Sequence, residues 1–397
     1  MSELLQKANE ILEEIIAIRR DIHAHPEMGR KEIRTSALIR EKLEEYGVDE
    51  IESPTPTSVV GVIKGRKGAG KCIAIRTDID ALPVQEETGL PFASQTPNVM
   101  HACGHDIHCA MMLGNAKILC GMRDQFAGSV KLIFQHSEDT FPGGAKELVG
   151  LGVMDGVDAV LGMHVFPTVN EKCGVIGLRE GPFTTSTDDY WFEIIGTGGH
   201  GSLPHKAPDP ILAAAEMIMM FQQVQARAVA PLDAAIFMMN KIEGGKAPNI
   251  IADKLIMAGN ARSYTAEARA VIKDYAYRIA EGVEKISGCK INVNPAWGYD
   301  SCYNDPALTN TLLPILEESV GADRVELFDD PMGFSEDFSF YSTLTGVPAV
   351  FMILQAGTLG DPDNIPSLHN ARCTFNEEAI PYGMAAMIGC ALGFLRQ

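Results

Sequence analysis

Strand-length apolar runs alternate with helical segments along the first part of this chain, and the alternation limits the folds open to it. Apolar residues recur at helical spacing in segments 31–46, 105–119 and 144–151. The strand-length runs cover residues 59–63, 72–76, 130–134 and 159–163. Strands and helices that alternate in this way predict an α/β domain built on a largely parallel sheet.

The order of the elements changes in the middle of the chain. Two successive strands are predicted there between two helices, with one further strand at each end. These elements cover residues 190–195, 210–224, 235–242, 254–262, 266–286 and 290–295. The order β-α-β-β-α-β is typical of a ferredoxin-like domain. We therefore predict a small inserted domain at residues 183–297, and one larger domain formed by residues 1–182 and 298–397.

The composition favours a cytoplasmic protein without nucleic-acid or membrane partners. A formal net charge of −19 disfavours binding to nucleic acids and to anionic membranes. The N-terminal segment has helical spacing among charges instead of a signal sequence, and no apolar run is expected to reach the roughly 18–20 residues of a membrane span. The nine cysteines are an odd, scattered set, which favours reduced thiols.

Polar side chains with metal-binding chemistry stand at the ends of several predicted strands. In open α/β sheets, ligand-binding groups gather outside the carboxyl ends of the strands. Four segments fit this rule, at residues 76–80, 135–139, 163–164 and 368–370. A fifth segment, residues 101–108, opens a helix and contains three histidines, one cysteine and one aspartate.

Thiolate, imidazole and carboxylate together form the ligand set of a zinc-like divalent ion. Cys103 and His105 flank a glycine, so their side chains can converge from a turn. Taken alone, the pair fits a buried thiol and a helix-capping histidine equally well, and the strand-end segments favour the metal. Glu138 and Asp139 are adjacent carboxylates, so one can bind metal while the other transfers protons. An acidic loop tip is the plainer alternative for this pair.

Motifs spread over nearly the whole chain resemble those of the di-metal amidohydrolases related to aminoacylases and zinc exopeptidases. The branch with the strongest resemblance holds N-acyl-amino-acid amidohydrolases, hippurate hydrolases and auxin-conjugate hydrolases. The matching motifs are residues 19–27, 78–83, 100–108, 162–164, 198–205, 247–249, 335–338 and 368–370.

The resemblance implies a zinc-exopeptidase-like catalytic domain with an inserted lid and dimerisation domain. It implies that Glu138 is the catalytic carboxylate and that His200 of the inserted domain polarises the scissile carbonyl, often in the partner subunit. It assigns Asn249 and Arg262 to the substrate carboxylate, which suits the fork of an arginine. It implies two divalent ions per subunit, with zinc preferred and manganese, cobalt or nickel as alternatives. The implied metal ligands are Cys103, His105, Asp139, His164 and His369.

The resemblance predicts a homodimeric hydrolase that cleaves N-acyl amino acids. A dipeptidase or carboxypeptidase with the same metals is the alternative enzyme, and a metal-bound binding protein without catalysis is the alternative of another class. One departure matters: the related enzymes usually have Gln-Pro-Ala-Glu-Glu at residues 135–139. Asp139 is one methylene shorter than the usual glutamate, so we expect a shifted metal position or an altered metal choice. His136 replaces the proline, as either an extra ligand or a polar wall.

Overall fold

The computed structural model describes residues 2–168, 172–360 and 364–397. The chain divides into two compact units. The larger contains Met1–Phe183, Tyr303–Asp330 and Asp337–Gln397, and the smaller contains Thr184–Cys302 and Pro331–Glu336. These boundaries differ from the predicted ones at three places. Phe183, predicted in the inserted domain, groups with the larger unit, whereas residues 298–302 and 331–336, predicted in the larger domain, group with the smaller unit. They group with the smaller unit because Thr184 N–H donates to Cys302 O and Thr185 N–H donates to Phe334 O.

The larger unit is an α/β structure. Its strands are β1 (Glu50–Glu52), β2 (Val59–Lys64), β3 (Cys72–Asp78), β4 (Ser129–Gln135), β5 (Ala159–Phe166), β6 (Val175–Leu178), β7 (Gly181–Pro182), β14 (Tyr303–Asn304), β15 (Val325–Leu327) and β16 (Ala349–Gln355). Its helices are α1 (Glu3–Glu10), α2 (Leu12–Ala24), α3 (Ile33–Glu45), α4 (His105–Gly121), α5 (Ala145–Gly150), α8 (Pro306–Val320), α9 (Ser339–Thr343) and α10 (Ile380–Leu395).

Eight strands of the larger unit form one sheet, in the order β1-β2-β4-β3-β5-β16-β6-β15. The four central strands β4, β3, β5 and β16 run parallel, whereas β1, β2 and β6 pair antiparallel with their neighbours nearer the centre. The central strands are almost entirely buried and most of their residues are apolar, as expected of parallel strands covered on both faces. The prediction of an α/β fold on a largely parallel sheet is confirmed.

Two apolar helices, α4 and α10, lie in the core of the larger unit. The stretch Glu377–Leu395 is 19 residues long and contains an 18-residue window with a mean hydropathy of 1.4, which is enough to cross a membrane by length and composition. The expectation that no apolar run reaches this length was therefore wrong. Because 78% of that window is buried inside the protein, the stretch has the character of a core helix.

The smaller unit contains the predicted βαββαβ order. Its elements are β8 (Asp188–Ile195), β9 (Gly199–His200), α6 (Pro210–Gln223), β10 (Ala235–Gly244), β11 (Ile250–Ile251), β12 (Lys254–Ser263), α7 (Ala266–Ser287) and β13 (Lys290–Trp297). Four strands form an antiparallel sheet in the order β10-β12-β8-β13, which is the ferredoxin-like order. Along β8, alternate residues are buried against a core shared with α6 and α7. Asp209 caps α6 by accepting from Ile211 N–H, next to Pro210 in the first turn.

Candidate metal centre

The carboxyl ends of neighbouring parallel strands bring the predicted ligands to one edge of the larger sheet. Asp78 ends β3 beside Gln135, the last residue of β4. His164 lies near the end of β5, opposite Ile353 of β16. Because these strands are parallel and adjacent, the residues that follow them meet at the same edge.

Gly104 places Cys103 and His105 at the start of α4. Its φ of +88° is left-handed, which glycine adopts without strain. A Cβ at Gly104 would stand 2.3 Å from Val165 Cγ1 and 3.0 Å from Phe375 Cζ. The turn between the two ligands therefore has room only for glycine.

All five predicted ligands lie together in the larger unit. Cys103 Sγ is 3.4 Å from His164 Nε2 and 3.3 Å from His369 Nε2. Asp139 Oδ1 is 3.4 Å from His369 Nε2, and Asp139 Oδ2 is 3.9 Å from His105 Nε2. The ligand atoms of Cys103, His105 and His164 lie within 4.8 Å of one another, as do those of Cys103, Asp139 and His369. Cys103 thus belongs to both groups.

Two hydrogen bonds orient the imidazoles of His105 and His164. His105 Nδ1 donates to the carbonyl oxygen of Asp80 at 3.0 Å, and His164 Nδ1 donates to Val165 O at 2.8 Å. Each histidine therefore presents Nε2 toward the other ligands, as metal-binding histidines do when their second nitrogen is hydrogen-bonded. His108 differs, because its Nδ1 contacts Asp78 at 2.6 Å and its Nε2 accepts from Val165 N–H at 2.7 Å. Asp78, His105 and His108 also offer ligand atoms close together, but both nitrogens of His108 are engaged, which favours a supporting position over a ligand.

The donor set fits divalent cations. His105 Nε2 and Asp139 Oδ2 are buried and have no hydrogen-bond partner among the described residues. Buried polar atoms rarely stay without a partner, so these two atoms indicate a partner that the described residues do not supply. A cation between imidazole, thiolate and carboxylate ligands satisfies both atoms.

The charges around the ligands also favour a cation. Burial alone would lower the pKa of His105, but the carboxylates of Asp78, Asp80 and Asp139 raise it to about 10. Burial raises the pKa of Asp139 to about 7, and the charges of Asp80 and Asp78 act in the same direction. Carboxylates that crowd one another in this way relieve their repulsion by binding positive charge.

Glu138 lies beside this group, with its buried Oε2 4.0 Å from His105 Nε2. Its backbone N–H donates to Asp80 Oδ1 at 3.0 Å, and the N–H of Asp139 donates to Asp80 Oδ2 at 3.0 Å. The position suits a carboxylate that handles protons next to bound metal.

Asp80 and Arg76 were not assigned roles from the sequence. Arg76 is buried and donates to Gln135 Oε1, Asp78 Oδ2 and Asp337 Oδ1, at 2.8, 2.8 and 2.9 Å. It thereby joins the ends of β3 and β4 to the start of the last segment of the larger unit. The signal in the sequence was the charged end of an otherwise apolar strand, residues 76–80.

His136, the residue in place of the usual proline, contacts Glu147. Its Nε2 is 3.3 Å from Glu147 Oε2, which also accepts from Arg30 Nη1 at 2.8 Å. It belongs to none of the ligand groups formed by the described residues. Of the two interpretations, the geometry favours the polar wall.

The three predicted site residues of the inserted domain all lie in the smaller unit. His200 is exposed on β9, which pairs with β11, and Asn249 O accepts from Gly201 N–H at 2.9 Å. His200 Nδ1 accepts from Ser202 N–H at 3.1 Å, so the neutral ring carries its proton on Nε2. Arg262 on β12 is half-buried and donates through Nη1 to Ser335 Oγ at 2.7 Å. His200 and Asn249 are therefore brought together, whereas Arg262 lies on the four-stranded sheet.

Residues 74–392 match the family described as Peptidase family M20/M25/M40. An N-acyl-L-amino acid amidohydrolase of Geobacillus stearothermophilus is 38% identical over 302 residues, which covers 76% of this chain and 81% of the relative. Thermostable carboxypeptidase 1 of Saccharolobus solfataricus is 36% identical over 398 residues, covering 99% of this chain and 98% of the relative.

A solved Bacillus subtilis structure, described as a dinuclear metal binding peptidase from the M20 family, superposes with a TM-score of 0.82 at 32% identity. The superposition covers 98% of this chain and 99% of that one. Together with the two ligand groups, it supports a pair of divalent ions in this protein. The resemblance inferred from the motifs is confirmed: the chain is an amide-bond hydrolase that belongs to peptidase family M20/M25/M40.

Proposed function

We propose that this enzyme hydrolyses the amide bond of N-acyl amino acids, such as N-acetyl or N-benzoyl derivatives, to a carboxylic acid and an amino acid. The observation that carries the proposal is the place of Glu138, a buried carboxylate 4.0 Å from His105 Nε2 and adjacent to Asp139. The similarity to an N-acyl-L-amino acid amidohydrolase supports the substrate class. The odd and scattered set of nine cysteines favours reduced thiols and supports a cytoplasmic location.

The metal ligands in this proposal are Cys103, His105, Asp139, His164 and His369. Zinc is the preferred ion because one ligand is a thiolate, although manganese, cobalt and nickel accept similar sites. When bound, two such ions lower the pKa of a water molecule and polarise the amide carbonyl. Glu138 takes the proton of the attacking water on its carboxylate and delivers it to the leaving amine nitrogen.

The smaller unit supplies the groups that hold and polarise the substrate. His200 carries its proton on Nε2, and this N–H is suited to donate to the oxyanion that develops at the scissile carbonyl. Arg262 is held by Ser335 through Nη1 and presents a fork that matches a carboxylate. With Asn249, it anchors the free carboxylate of the amino-acid side of the substrate.

A hydrolysis screen with metal content measured on the same sample tests the proposal. We expect N-acetyl and N-benzoyl amino acids to be cleaved at least tenfold more efficiently than the same compounds with an amidated carboxyl group. Dipeptides and peptides with a free carboxyl end form the second arm, because thermostable carboxypeptidase 1 is also similar. Faster cleavage of the peptides would favour the carboxypeptidase, and no hydrolysis with two metals bound would contradict both.

We further propose a homodimer formed through the smaller unit at the edge strand β10. This strand carries the exposed residues Ile236, Met238 and Ile242, and α6, which contacts it, exposes further apolar side chains. The opposite edge, β13, is poorly suited to pairing. Its Ile291 N–H already donates to Glu284 Oε2 at 2.7 Å, and Pro295 has no N–H.

Replacing exposed apolar residues of β10 with lysine tests the proposed dimer. The variant Ile236→Lys/Met238→Lys is expected to be monomeric by light scattering, because two charges would be buried in the interface. Ile286→Lys, on an exposed residue of α7, is the matched control and should stay dimeric. If His200 acts in the partner subunit, the monomer should lose more than tenfold in activity. A wild-type monomer would contradict the dimer, and a fully active monomeric variant would contradict action in the partner.

A further inference from the structure

Three consecutive backbone N–H groups after β4 donate to two buried carboxyl groups. Ser137 N–H donates to Glu32 Oε1 at 2.8 Å. The next two N–H groups, of Glu138 and Asp139, donate to the two oxygens of Asp80, both at 3.0 Å. Glu32 therefore holds the backbone at Ser137, which directly precedes Glu138, the proposed base, and Asp139, a proposed metal ligand.

The turn at Ser137 needs such support. Its φ of +55° lies in the left-handed region, which is unfavourable for a residue with a Cβ. This turn changes the direction of the chain immediately before Glu138. If Ser137 N–H lost its acceptor, Ser137 could relax from its left-handed φ to a negative φ. This change would move the side chains of Glu138 and Asp139.

Glu32 reaches the turn from the start of α3 and is fully buried. The chain around it fits closely against the same turn, since a Cβ on Gly29 would stand 2.8 Å from Ser137 Oγ and 3.1 Å from Thr140 Oγ1. Burial, together with the charge of Asp80, raises the pKa of Glu32 to about 7. A buried carboxyl group is costly, and an apolar residue would avoid that cost but leave Ser137 N–H without a partner.

We propose that Glu32 is a positioning residue, which holds the Ser137 turn and thereby aims Glu138 and Asp139. The roles of those two residues rest on the proposed function, but the hold on the turn does not. Glu32 touches neither substrate nor metal in this proposal. Its effect passes through one hydrogen bond and the backbone.

Hydrogen exchange of the metal-free protein tests the hold on the turn independently of activity. We expect Glu32→Ala to speed amide exchange of the segment 137–139 by tenfold or more, because Ser137 N–H loses its acceptor. Glu32→Gln should exchange like the wild type, since the amide oxygen accepts the same bond. Glu27→Ala is the matched control: Glu27 accepts from Arg34 and Thr35 N–H at the start of the same helix, so the turn should stay protected.

Steady-state kinetics at saturating metal test whether the hydrogen bond from Ser137 to Glu32 matters for catalysis. Glu32→Ala is expected to lower kcat by about 100-fold, the loss that follows a displacement of about 1 Å at a reacting group. KM should stay within twofold, and Glu32→Gln should restore kcat to within a few-fold of the wild type. If the alanine variant does not fold, Glu32→Asp replaces it, with faster exchange and lower kcat expected because its oxygens are withdrawn by one methylene.

Unchanged exchange at 137–139 in Glu32→Ala would overturn the proposal, as would a glutamine variant impaired as severely as the alanine variant. A wild-type protein that cleaves no N-acyl amino acid would refute the proposed substrate class alone. The exchange experiment would still decide the role of Glu32.

Discussion

Replacing Glu138 with glutamine is expected to lower kcat by about 10²- to 10⁴-fold, the usual contribution of a positioned general base. Glutamine has nearly the same shape as glutamate but cannot accept a proton from water or pass one to the leaving nitrogen. The hydrogen bond from the backbone N–H of residue 138 to Asp80 does not involve the changed side chain. The loop and the adjacent Asp139 should therefore stay in place. The variant should therefore keep two metal ions per chain.

The measurement combines steady-state kinetics with metal analysis of the same dialysed sample. Glu147→Gln is the matched control, because Glu147 is a carboxylate of the same part of the larger unit but pairs with Arg30 and His136. It is expected to keep kcat within about threefold of the wild type. Near-normal turnover by Glu138→Gln would refute its role as base. A loss of activity that follows a loss of metal would refute it equally.

Replacing Cys103 with alanine is expected to weaken both metal sites, because Cys103 is shared by the two groups of ligand atoms. Removing a residue that hydrogen-bonds to a metal ligand lowers metal affinity by about 10- to 100-fold. The loss of a ligand shared by both groups should therefore lower it further. The purified variant should contain fewer than two ions per chain and show little activity. Added zinc, manganese, cobalt or nickel should restore the wild type after chelation, but not this variant.

Cys109→Ala provides the control, since Cys109 is another buried thiol in the same helix α4. Cys109 belongs to none of the ligand groups formed by the described residues, and burial raises the pKa of its thiol well above the usual value. Its replacement should leave metal content and kcat unchanged apart from a modest loss of stability. Two tightly bound ions and normal turnover in Cys103→Ala would contradict the shared-ligand role.

Much of the fold was predictable because its central strands are apolar and buried on both faces. The runs at 72–76, 130–134 and 159–163 became β3, β4 and β5, each extended by one to three residues at an end. The short strands β1, β6 and β15 were missed, since three or four residues at the side of a sheet carry little pattern of their own. The segment Pro331–Glu336 was placed with the wrong unit because its partners, such as Thr185, are remote in sequence.

The candidate site was predictable for a different reason. Parallel strands end at one edge of a sheet, so polar residues at strand ends converge even when far apart in sequence. This placed His164 beside the residues that follow β4, and the structure brings Cys103 and His369 to the same point. The strand ends alone did not show which of the converging histidines bind metal and which support the ligands. His108 has the same chemistry as His105 and stands one helical turn away, but both of its nitrogens are engaged.

The sequence by itself determined the class of fold and the family of amide-bond hydrolases, and it predicted a candidate set of metal ligands. Those follow from local patterns: the periodicity of apolar residues, the types of residue at strand ends and the motifs. Only the tertiary structure decided which nitrogen, oxygen or sulfur atom has a partner. Asp80 and Glu32 reach residues 137–139 because the segments that precede α3 and that follow β3 and β4 meet at one point. Hydrogen bonds between residues so far apart in the sequence leave no periodic pattern in it.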